Sequence, residues 1–357
     1  MIPQDDKKIT LKVMSLFAGC GGMDLGFILA QHPKYKYEIV WANDFDKDAC
    51  ATYRKNFGID IYEGDIWDVD LKTTPSADVI IGGFPCEDFS ILRGDTRPGF
   101  ASKRGLLYTK FVEAVSTKRP LFFVAENVQG LLTMHNGWAI KKIKEDFEKV
   151  DHVGYQVQYK LINFADYGVP QERERVVIVG VRSDLNLGFS YPRPTHKGAH
   201  VPVKNALKGV ESVKLNNELP KMQASTKKKL EQIPPGGNFS NLPEYKNKNW
   251  MSIIYKRLHP EKSSPTIVAC GGGGTWGYHY SETRALTNRE RARIQSFPDD
   301  FEFIGSVTEV RRQIGNAVPP QGIKPVAEQL LKMINGELGL APFIGEEKAC
   351  LEENLYP

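Results

Sequence analysis

Short, uninterrupted apolar runs alternate with stretches of helical pattern through the first half of the chain. β-Branched and other apolar residues fill residues 12–17, 37–42, 78–82, 121–125 and 176–181, and helical patterns lie at 24–30 and 46–56. Strands that are apolar throughout are buried on both faces, as in a parallel sheet covered by helices. The pattern predicts an α/β fold, and ligands of such sheets bind at the carboxyl ends of the strands.

The alternation ends near Arg182. Residues 182–284 are rich in Pro, Gly, Asn and Lys and contain no long helical period, whereas a helical pattern returns after Thr287. We therefore expect a catalytic and cofactor-binding domain at 1–181 and a smaller, irregular domain at 182–284. A last segment, 285–345, is expected to return to the first domain.

Charge is spread unevenly along a chain of 357 residues whose net charge is only +4. The segment 182–284 has 16 Lys and Arg against 7 Asp and Glu, whereas the remainder has 31 against 36. This asymmetry indicates a polyanionic partner. A solvated lysine-rich surface without a ligand would give the same counts, so the charge alone leaves both interpretations open.

The cysteines argue against a disulfide framework and against a zinc site. There are five, far apart and with no CxxC pair: Cys20, Cys50, Cys86, Cys270 and Cys350. A reducing, cytoplasmic compartment fits this usage. The N-terminus has no apolar leader, and no run approaches the ~18 apolar residues of a membrane helix. We expect neither a metal nor membrane association.

The first apolar run leads through a glycine-rich turn into a helix. Gly19, Gly21 and Gly22 let the backbone approach a ligand, and the following helix N-terminus favours polar or anionic groups. Asp44 follows the next apolar run, and a carboxylate there suits the two hydroxyls of a ribose. The residues by themselves indicate a nucleotide-like cofactor, with NAD, FAD and S-adenosylmethionine all open. A glycine turn without a ligand is the alternative.

Three further polar groups follow or precede strands. Cys86 comes directly after Pro85 at the end of the third run, as an exposed nucleophile or as an inert buried thiol. Glu126 ends the fourth run, as a proton donor of raised pKa or as a cap or ion-pair partner. Arg173 and Arg175 precede the fifth run, and they are expected either to bind phosphate or carbonyl oxygens or to pair with Glu172 and Glu174.

Together these motifs resemble the cytosine-5 DNA methyltransferase family, of the bacterial restriction-modification type, over nearly the whole chain and in the family's order. The matching elements are Phe17-Ala-Gly-Cys-Gly-Gly, Asp44-Phe45, Gly64-Asp65-Ile66, Phe84-Pro85-Cys86, Glu126-Asn127-Val128, Gln171-x-Arg173-x-Arg175, Arg289-Glu290-x-Ala292-Arg293 with Phe297-Pro298-Asp299, and Gly315-Asn316-Ala317-Val318. The resemblance implies an α/β, Rossmann-like S-adenosylmethionine-dependent methyltransferase sheet. It also implies that the smaller irregular domain at 182–284 recognises the DNA target.

The resemblance assigns roles to the matching positions. The S-adenosylmethionine pocket is expected to be lined by Phe17, Gly19, Gly21, Gly22, Asp44, Phe45, Asp65, Ile66, Pro85, Leu107, Asn316 and Ala317. Cys86 is expected to attack carbon 6 of cytosine, and Glu126 to contact N3 and the exocyclic amine. Arg175 would reach O2 of the base and Arg173 the phosphate backbone. The residues expected to contact DNA are Ser90, with Arg93 and Arg104 in a mobile loop, and Thr266, Gly271, Gly272 and Gly273 in the recognition domain.

This chemistry requires a base that has left the duplex. Thiolate attack at carbon 6 activates carbon 5 toward the methyl group, and a stacked base is inaccessible to such attack. The resemblance therefore implies a double-stranded DNA substrate with a flipped cytosine. It also suggests a monomer that works alongside a cognate restriction endonuclease. The aromatic residues Trp276 and Tyr278 are expected to read bases, and the cluster Lys227–Lys229 to contact phosphate.

Two positions depart from the family, and two other functions stay open. Glu87 stands where glutamine is usual after the cysteine, and Ala317 where serine is frequent. A transfer-RNA cytosine-5 methyltransferase shares all these motifs, although the large basic segment favours a DNA enzyme. A catalytically silent DNA-binding regulator would keep the fold, but the intact Cys86 and Glu126 argue against it.

Overall fold

The computed structural model describes residues 8–85, 106–245, 252–269 and 276–338. Its strands are β1 (Ile9–Leu16), β2 (Tyr35–Asp44), β3 (Tyr62–Glu63), β4 (Val79–Gly82), β5 (Phe122–Val128), β6 (Tyr155–Asn163), β7 (Glu174–Arg182), β8 (Lys256–Arg257) and β9 (Trp276–Tyr278). Its helices are α1 (Gly22–Ile28), α2 (Lys47–Phe57), α3 (Leu107–Lys118), α4 (Trp138–Glu148), α5 (Val203–Leu207), α6 (Ala224–Glu231), α7 (Asn288–Ile294), α8 (Val307–Asn316) and α9 (Pro320–Ile334).

A sheet of seven strands forms the centre of the fold, in the order β3-β2-β1-β4-β5-β7-β6. The strands β1 to β5 run parallel to one another, as the uninterrupted apolar runs predict. The order steps outward from β1 in both directions, so the ends of β1 and β4 flank the point where the winding reverses. Such a switch point is where α/β sheets bind ligands. The predicted α/β, Rossmann-like class is confirmed.

Strand β7 is antiparallel to both of its neighbours, which the apolar pattern does not predict. Arg175 near its start is paired with Val128 at the end of β5. Because β7 runs in the opposite direction, residues that precede it lie at the same sheet edge as residues that follow β5. The reversal therefore brings Arg173 and Arg175, which precede the fifth apolar run, beside Glu126.

The two faces of the sheet carry separate apolar cores. Val13, Val79 and Val124 point to one face and pack with α1 and α9, whereas Met14, Ile80 and Phe123 point to the other and pack with α3 and α4. Neighbouring residues of a strand point to opposite faces, so each strand contributes to both cores. This two-sided burial fixes the strand ends that carry the candidate site.

The helices α1 and α9 approach each other closely because α1 has Gly26 on the contact face. A Cβ at Gly26 would lie 2.3 Å from Cγ2 of Ile323 and 2.7 Å from the carbonyl oxygen of Pro320. Backbones at that separation leave no room for a methyl group. Helix α9 therefore packs directly against α1.

A third apolar core joins residues from beyond β7. Val203, Leu207 and Leu258 pack with Ile294 and Ile314 of α7 and α8. The predicted irregular segment and the predicted C-terminal segment therefore share side-chain contacts, and the domain boundaries near 182 and 284 stay predictions. In the described part of the chain, none of the helices combines the length and apolarity needed to cross a membrane.

Candidate active site

The turn after β1 is held open by backbone conformation and by Asp44. Phe17 and Gly19 both have φ 55°, in the left-handed region. The amide of Gly19 donates to Oδ2 of Asp44 at 2.7 Å, and the amide of Asp46 donates to Oδ1 at 2.9 Å. Burial raises the pKa of the Asp44 carboxyl, and the backbone hydrogen bonds oppose that effect. The ends of β1 and β2 are thereby joined through one carboxylate.

The surroundings of Asp44 fit a nucleoside cofactor. No heavy atom lies within 4 Å of the place where a Cβ of Gly19 would stand. The neighbouring Phe45 is 68% exposed, although an aromatic ring of this size is normally covered. An uncovered ring beside a carboxylate and an open glycine offers stacking to a base and hydrogen bonding to a ribose. The chemistry of this donor set suits the adenosine part of S-adenosylmethionine.

The other two glycines of the turn are required by protein packing. A Cβ at Gly21 would lie 2.2 Å from the Phe57 ring, and one at Gly22 would lie 2.4 Å from the carbonyl oxygen of Val318. Gly21 also has φ 87°, which disfavours a side chain. We expected all three glycines to make room for a ligand, and in the structure Gly19 alone of the three faces open space.

The remaining predicted cofactor residues lie at several elements. Asp65 is exposed and accepts from the amide of Trp67 at 3.0 Å, whereas the Ile66 side chain is buried in the second core. Leu107 begins α3 and packs at the margin of that core. Asn316 is exposed at the end of α8, and Ala317 lies against Gly22. Pro85, the last described residue before a gap, is half-buried.

A cleft of about 270 Å³ opens where β5, β7 and α8 meet. It is lined by Glu126, Val128, Arg173, Arg175, Thr266, Ile267, Val268, Ala269, Gly315 and Asn316. Within it, Nε of Arg175 donates to Oε1 of Glu126 at 3.0 Å. The cleft thus presents an acid and an adjacent guanidinium to a small ligand.

Glu126 is almost entirely buried, which changes its acidity. Burial raises its pKa above the ordinary value, and the positive charges of Arg175 and Arg173 oppose that shift. Gly83 leaves room beside this carboxyl group, because a Cβ there would stand 3.2 Å from Oε2 of Glu126. The group can therefore hold a proton at a higher pH than a surface glutamate.

The segment that leads to Cys86 is anchored to the same strand end. The side-chain amide of Asn127 donates to the carbonyl oxygen of Phe84 at 3.0 Å, and the Phe84 ring is buried. This bond ties the chain two residues before Cys86 to the residue after Glu126. Cys86, Ser90, Arg93 and Arg104 lie outside the described residues, as do Gly271, Gly272 and Gly273.

From the family resemblance we expect Arg173 to contact the phosphate backbone, but in the structure its side chain is buried. It is 2% exposed and donates to the carbonyl oxygens of Ile267 at 3.3 Å and Gly315 at 3.0 Å. Burial and the charge of Arg175 lower its pKa to about 9. Its guanidinium connects the segment that carries Thr266 to the end of α8, and its contact with the DNA phosphate backbone stays a prediction.

Sequence reasoning missed two glutamines at the back of the cleft. Gln171 is fully buried, accepts from the amide of Ile267 at 2.8 Å and donates to the side chain of Gln295. Gln295 donates in turn to the carbonyl oxygens of Ile314 and Ala317. The first position of the QxRxR motif is a signal for Gln171, but nothing in the sequence indicates its partner.

Two expectations for the basic segment also change. Tyr278 is 3% exposed and stacks on Tyr255, so the prediction that its ring reads bases is wrong. Lys229 donates to the Tyr245 hydroxyl at 2.7 Å, and its ammonium group lies over the rings of Tyr245 and Tyr255. Lys227 and Lys228 are exposed. The Thr266 hydroxyl donates to the Glu172 carbonyl oxygen at 2.6 Å at the rim of the cleft.

Comparison with known proteins agrees with this arrangement. The model of the C-5 cytosine-specific DNA methylase family matches residues 11–332. The Type II methyltransferase M.NgoFVII of Neisseria gonorrhoeae is 50% identical over 355 residues, which cover 95% of this chain and 92% of the relative. M.BbvI of Brevibacillus brevis is 42% identical over 337 residues, covering 89% and 90%.

Solved structures show the same fold. A candidate DNA modification methyltransferase encoded within an E. coli prophage superposes with a TM-score of 0.71 at 24% identity, over 91% of this chain and 99% of the other. The S. pombe Dnmt2 methyltransferase gives 0.63 at 17% identity, over 91% and 99%. The family resemblance inferred from the motifs is confirmed, and the chain belongs to the C-5 cytosine-specific DNA methylases.

Proposed function

We propose that this DNA (cytosine-5-)-methyltransferase acts on a cytosine turned out of double-stranded DNA, with Cys86 as the nucleophile. The observation that carries the proposal is the cleft in which Nε of Arg175 lies 3.0 Å from Oε1 of Glu126, together with the bond from Asn127 to Phe84, two residues before Cys86 in the sequence. An acid and a guanidinium side by side match the N3 and O2 atoms on one edge of cytosine. A duplex base reaches such a cleft only after leaving the stack.

The residues would divide the chemistry among them. The Cys86 thiolate adds to carbon 6, and the electron pair displaced from the 5,6 double bond makes carbon 5 nucleophilic. Glu126, whose pKa burial raises, shares its proton with N3 and so favours that addition. Arg175 donates to O2 and stabilises the charge on the ring. Once carbon 5 has taken up a methyl group, loss of its proton to a base restores the 5,6 double bond and expels the cysteine thiolate.

S-adenosylmethionine supplies an electrophilic methyl group when it is bound. The residues that would hold it are Phe17, Gly19, Asp44, Phe45, Asp65, Ile66, Pro85, Leu107, Asn316 and Ala317. Asp44 would bind the ribose hydroxyls, and the exposed Phe45 ring would stack on the adenine. For Gly21 and Gly22 we propose backbone contacts alone, since protein atoms occupy the space beside their Cα atoms.

Target choice is proposed to reside in the basic segment 182–284, with Thr266 and Gly271 to Gly273 near the base. Two relatives named as Type II methyltransferases support a role in a restriction-modification system, which would place the enzyme with DNA in the cytoplasm. A cognate endonuclease and a monomeric enzyme follow from the same proposal. Names of relatives that refer to DNA favour this substrate over transfer RNA.

Methyl transfer from tritiated S-adenosylmethionine to DNA and to transfer RNA tests the proposal. We expect label in DNA, and bisulfite mapping should find it at one recurrent sequence. Cys86→Ser should lower transfer by at least about a thousandfold, because loss of a nucleophile removes the covalent route. DNA containing 5-fluorocytosine should trap the wild type covalently, since fluorine does not leave as a cation.

The control is Cys350→Ser, which changes a cysteine in the motif-free tail. This variant should transfer methyl groups and be trapped like the wild type. Persistent methylation by Cys86→Ser would overturn the covalent mechanism, and label in transfer RNA alone would overturn the choice of substrate.

A further inference from the structure

The helix α8 carries two polar side chains one turn apart near its end. Asn316 ends the helix, and Arg312 precedes it by four residues, so both lie on one helix face. Nη1 of Arg312 lies 2.6 Å from Oδ2 of Asp46, in the loop between β2 and α2. Nε of Arg312 also donates to Oε2 of Glu309 at 2.7 Å. The arginine thus joins α8 to the loop that contains Phe45.

A continuous polar chain runs from Arg312 to the glycine turn. Asp46 is held by Arg312, and its amide donates to Oδ1 of Asp44 at 2.9 Å. The other oxygen of Asp44 accepts from the Gly19 amide at 2.7 Å. Three separate segments of the predicted cofactor site, after β1, after β2 and at the end of α8, are therefore linked through four residues.

Phe45 lies between the two aspartates of this chain. Its ring is 68% exposed, so protein packing covers only a minor part of it. The direction of the ring consequently depends on the backbone on either side, which Asp44 and Asp46 hold. A change at Asp46 should alter the ring's position more than a change in any packed neighbour.

We propose that Arg312 is a positioning residue that holds the 44–46 loop in the shape that binds the adenosine part of the cofactor. The proposal rests on the proposed function, because it takes Asp44 and Phe45 as cofactor residues. Arg312 itself touches Asp46 and Glu309, and it acts on the cofactor through Asp46.

A purely structural role would be to fasten α2 to the C-terminal segment, but other bonds already do so. The Thr52 hydroxyl donates to Oε1 of Gln313 at 2.7 Å in a buried position. The Asn56 side chain donates to the carbonyl oxygen of Glu302 at 2.8 Å. The Arg312 side chain, by contrast, is 40% exposed, and exposed ion pairs contribute little to folding stability. Its loss should therefore leave the fold intact.

Calorimetric titration of the full chain with S-adenosylhomocysteine tests the proposal without relying on activity. Arg312→Gln should weaken binding about three- to tenfold, because the loop loses a charge-assisted contact. The KM for S-adenosylmethionine should rise by a similar factor, with kcat changed less than twofold. Arg312→Lys, which keeps the positive charge, should recover part of the affinity.

The matched control is Arg54→Gln on α2. Arg54 is 38% exposed and also pairs with two carboxylates, those of Asp60 and Glu63, so its loss has a similar structural cost. The affinity of this variant should equal that of the wild type. Equal affinities of Arg312→Gln and the wild type, or equal losses in Arg312→Gln and Arg54→Gln, would overturn the proposal.

Asp46→Asn gives a second measurement, since asparagine still caps α2 but loses the charge that Arg312 binds. The double variant Arg312→Gln with Asp46→Asn should bind no more weakly than the weaker single variant, because both remove one interaction. Additive losses would count against the proposal. A wild type that fails to bind S-adenosylhomocysteine would instead refute the proposed function, so the two failures are distinguishable.

Discussion

Buried carboxyl groups lie both near the glycine turn after β1 and in the cleft that contains Glu126, and burial makes them weaker acids than surface carboxyls. Asp24, on α1 beneath the glycine turn, is fully buried, and burial raises its pKa to about 6. The Tyr53 hydroxyl donates to its Oδ1 at 2.7 Å, which partly offsets that effect. Asp44 and Glu126 show pKa shifts in the same direction. Ionising any of these three carboxyl groups in the folded protein therefore costs more free energy than ionising a carboxyl group in water.

The pH dependence of stability follows from Asp24. Its folded-state pKa of about 6 exceeds the value near 4 of an unfolded chain, so the folded protein holds the proton more tightly. The stability contributed by this group is complete below about pH 4 and is lost as pH rises through 6. Asp24→Asn should remove that loss, roughly 2–3 kcal/mol between those limits. Urea unfolding at pH 5.0 and 7.5 should show about half of that loss, roughly 1–1.5 kcal/mol, because part of it has already occurred at pH 5.0.

Asp151 provides the control for this measurement. It is exposed, and its hydrogen bonds hold its pKa at about 2, so it stays ionised throughout the tested range. Asp151→Asn should leave the difference between pH 5.0 and 7.5 unchanged. An equally steep pH dependence in Asp24→Asn would show that other groups cause it.

The motifs predict which residues gather, but they do not predict what each one contacts. Glu126 and Arg175 meet as the resemblance implies, and Asp44 lies beside the glycine turn. Arg173 is buried by Ile267 and Gly315, which are 94 and 142 residues away along the chain. Contacts between residues so distant in sequence leave no local pattern, so its role as a buried connector could not be predicted.

At the scale of elements, the apolar strands are the most predictable part of the fold. The strands β1, β2, β4, β5 and β7 all coincide with predicted runs, with ends that differ by a few residues. Several elements have no counterpart among the predicted ones: the strands β3, β6, β8 and β9 and the helices α3, α4, α5, α6 and α8. β6 lies at the edge of the sheet and buries only some of its side chains, so polar residues interrupt its pattern. The direction of β7 depends on its pairing with β5 and β6, which sequence periodicity does not encode.

The contact between α1 and α9 gives a prediction for helix packing. Alanine favours a helix over glycine by about 1 kcal/mol, so propensity alone would make Gly26→Ala stabilising. The structure predicts the opposite, because the new methyl group would meet Ile323 and the Pro320 carbonyl oxygen. We expect a loss of about 1–3 kcal/mol, the usual cost of overpacking a core. Thermal unfolding monitored by circular dichroism would show a lower melting temperature.

Gly130→Ala is the matched control, since no atom lies within 4 Å of its would-be Cβ. This substitution should leave the melting temperature unchanged or slightly raised. A Gly26→Ala protein as stable as Gly130→Ala would show that α9 can move to make room for the new methyl group without a loss of stability.

At the scale of the whole molecule, the excess positive charge lies in the segment 182–284, whereas the rest of the chain is mildly acidic. If this segment recognises the target, replacing it with the equivalent segment of a relative of different specificity should move methylation to the donor's sequence. Bisulfite sequencing of methylated plasmid measures the outcome. Methylation that stays at the original sequence would mean that recognition lies in the sheet domain.

The same segment should make DNA binding sensitive to salt. Phosphate contacts release counterions, so the logarithm of affinity should fall linearly with the logarithm of salt concentration. Truncating the exposed Lys227 and Lys228 would flatten this slope if they touch phosphate. Lys229→Ala should act mainly through the tyrosine pair that it contacts.

The anchoring of residues 264–269 restricts where such a replacement can be joined. Ser264 pairs with Gln171, Ile267 is bonded by both Gln171 and Arg173, and a Cβ on Gly315 would stand 2.4 Å from the Ala269 amide nitrogen. These six residues are therefore fixed to the sheet domain and should be kept from the recipient enzyme, here called the host, when the rest of the segment is exchanged. A chimaera whose junctions keep them from the host, and take only the flanking stretches from the donor, would inherit a new specificity without rebuilding the wall of the catalytic cleft. If recognition lies in the segment 182–284, its exchangeable part is therefore two lengths of chain, one on each side of residues 264–269.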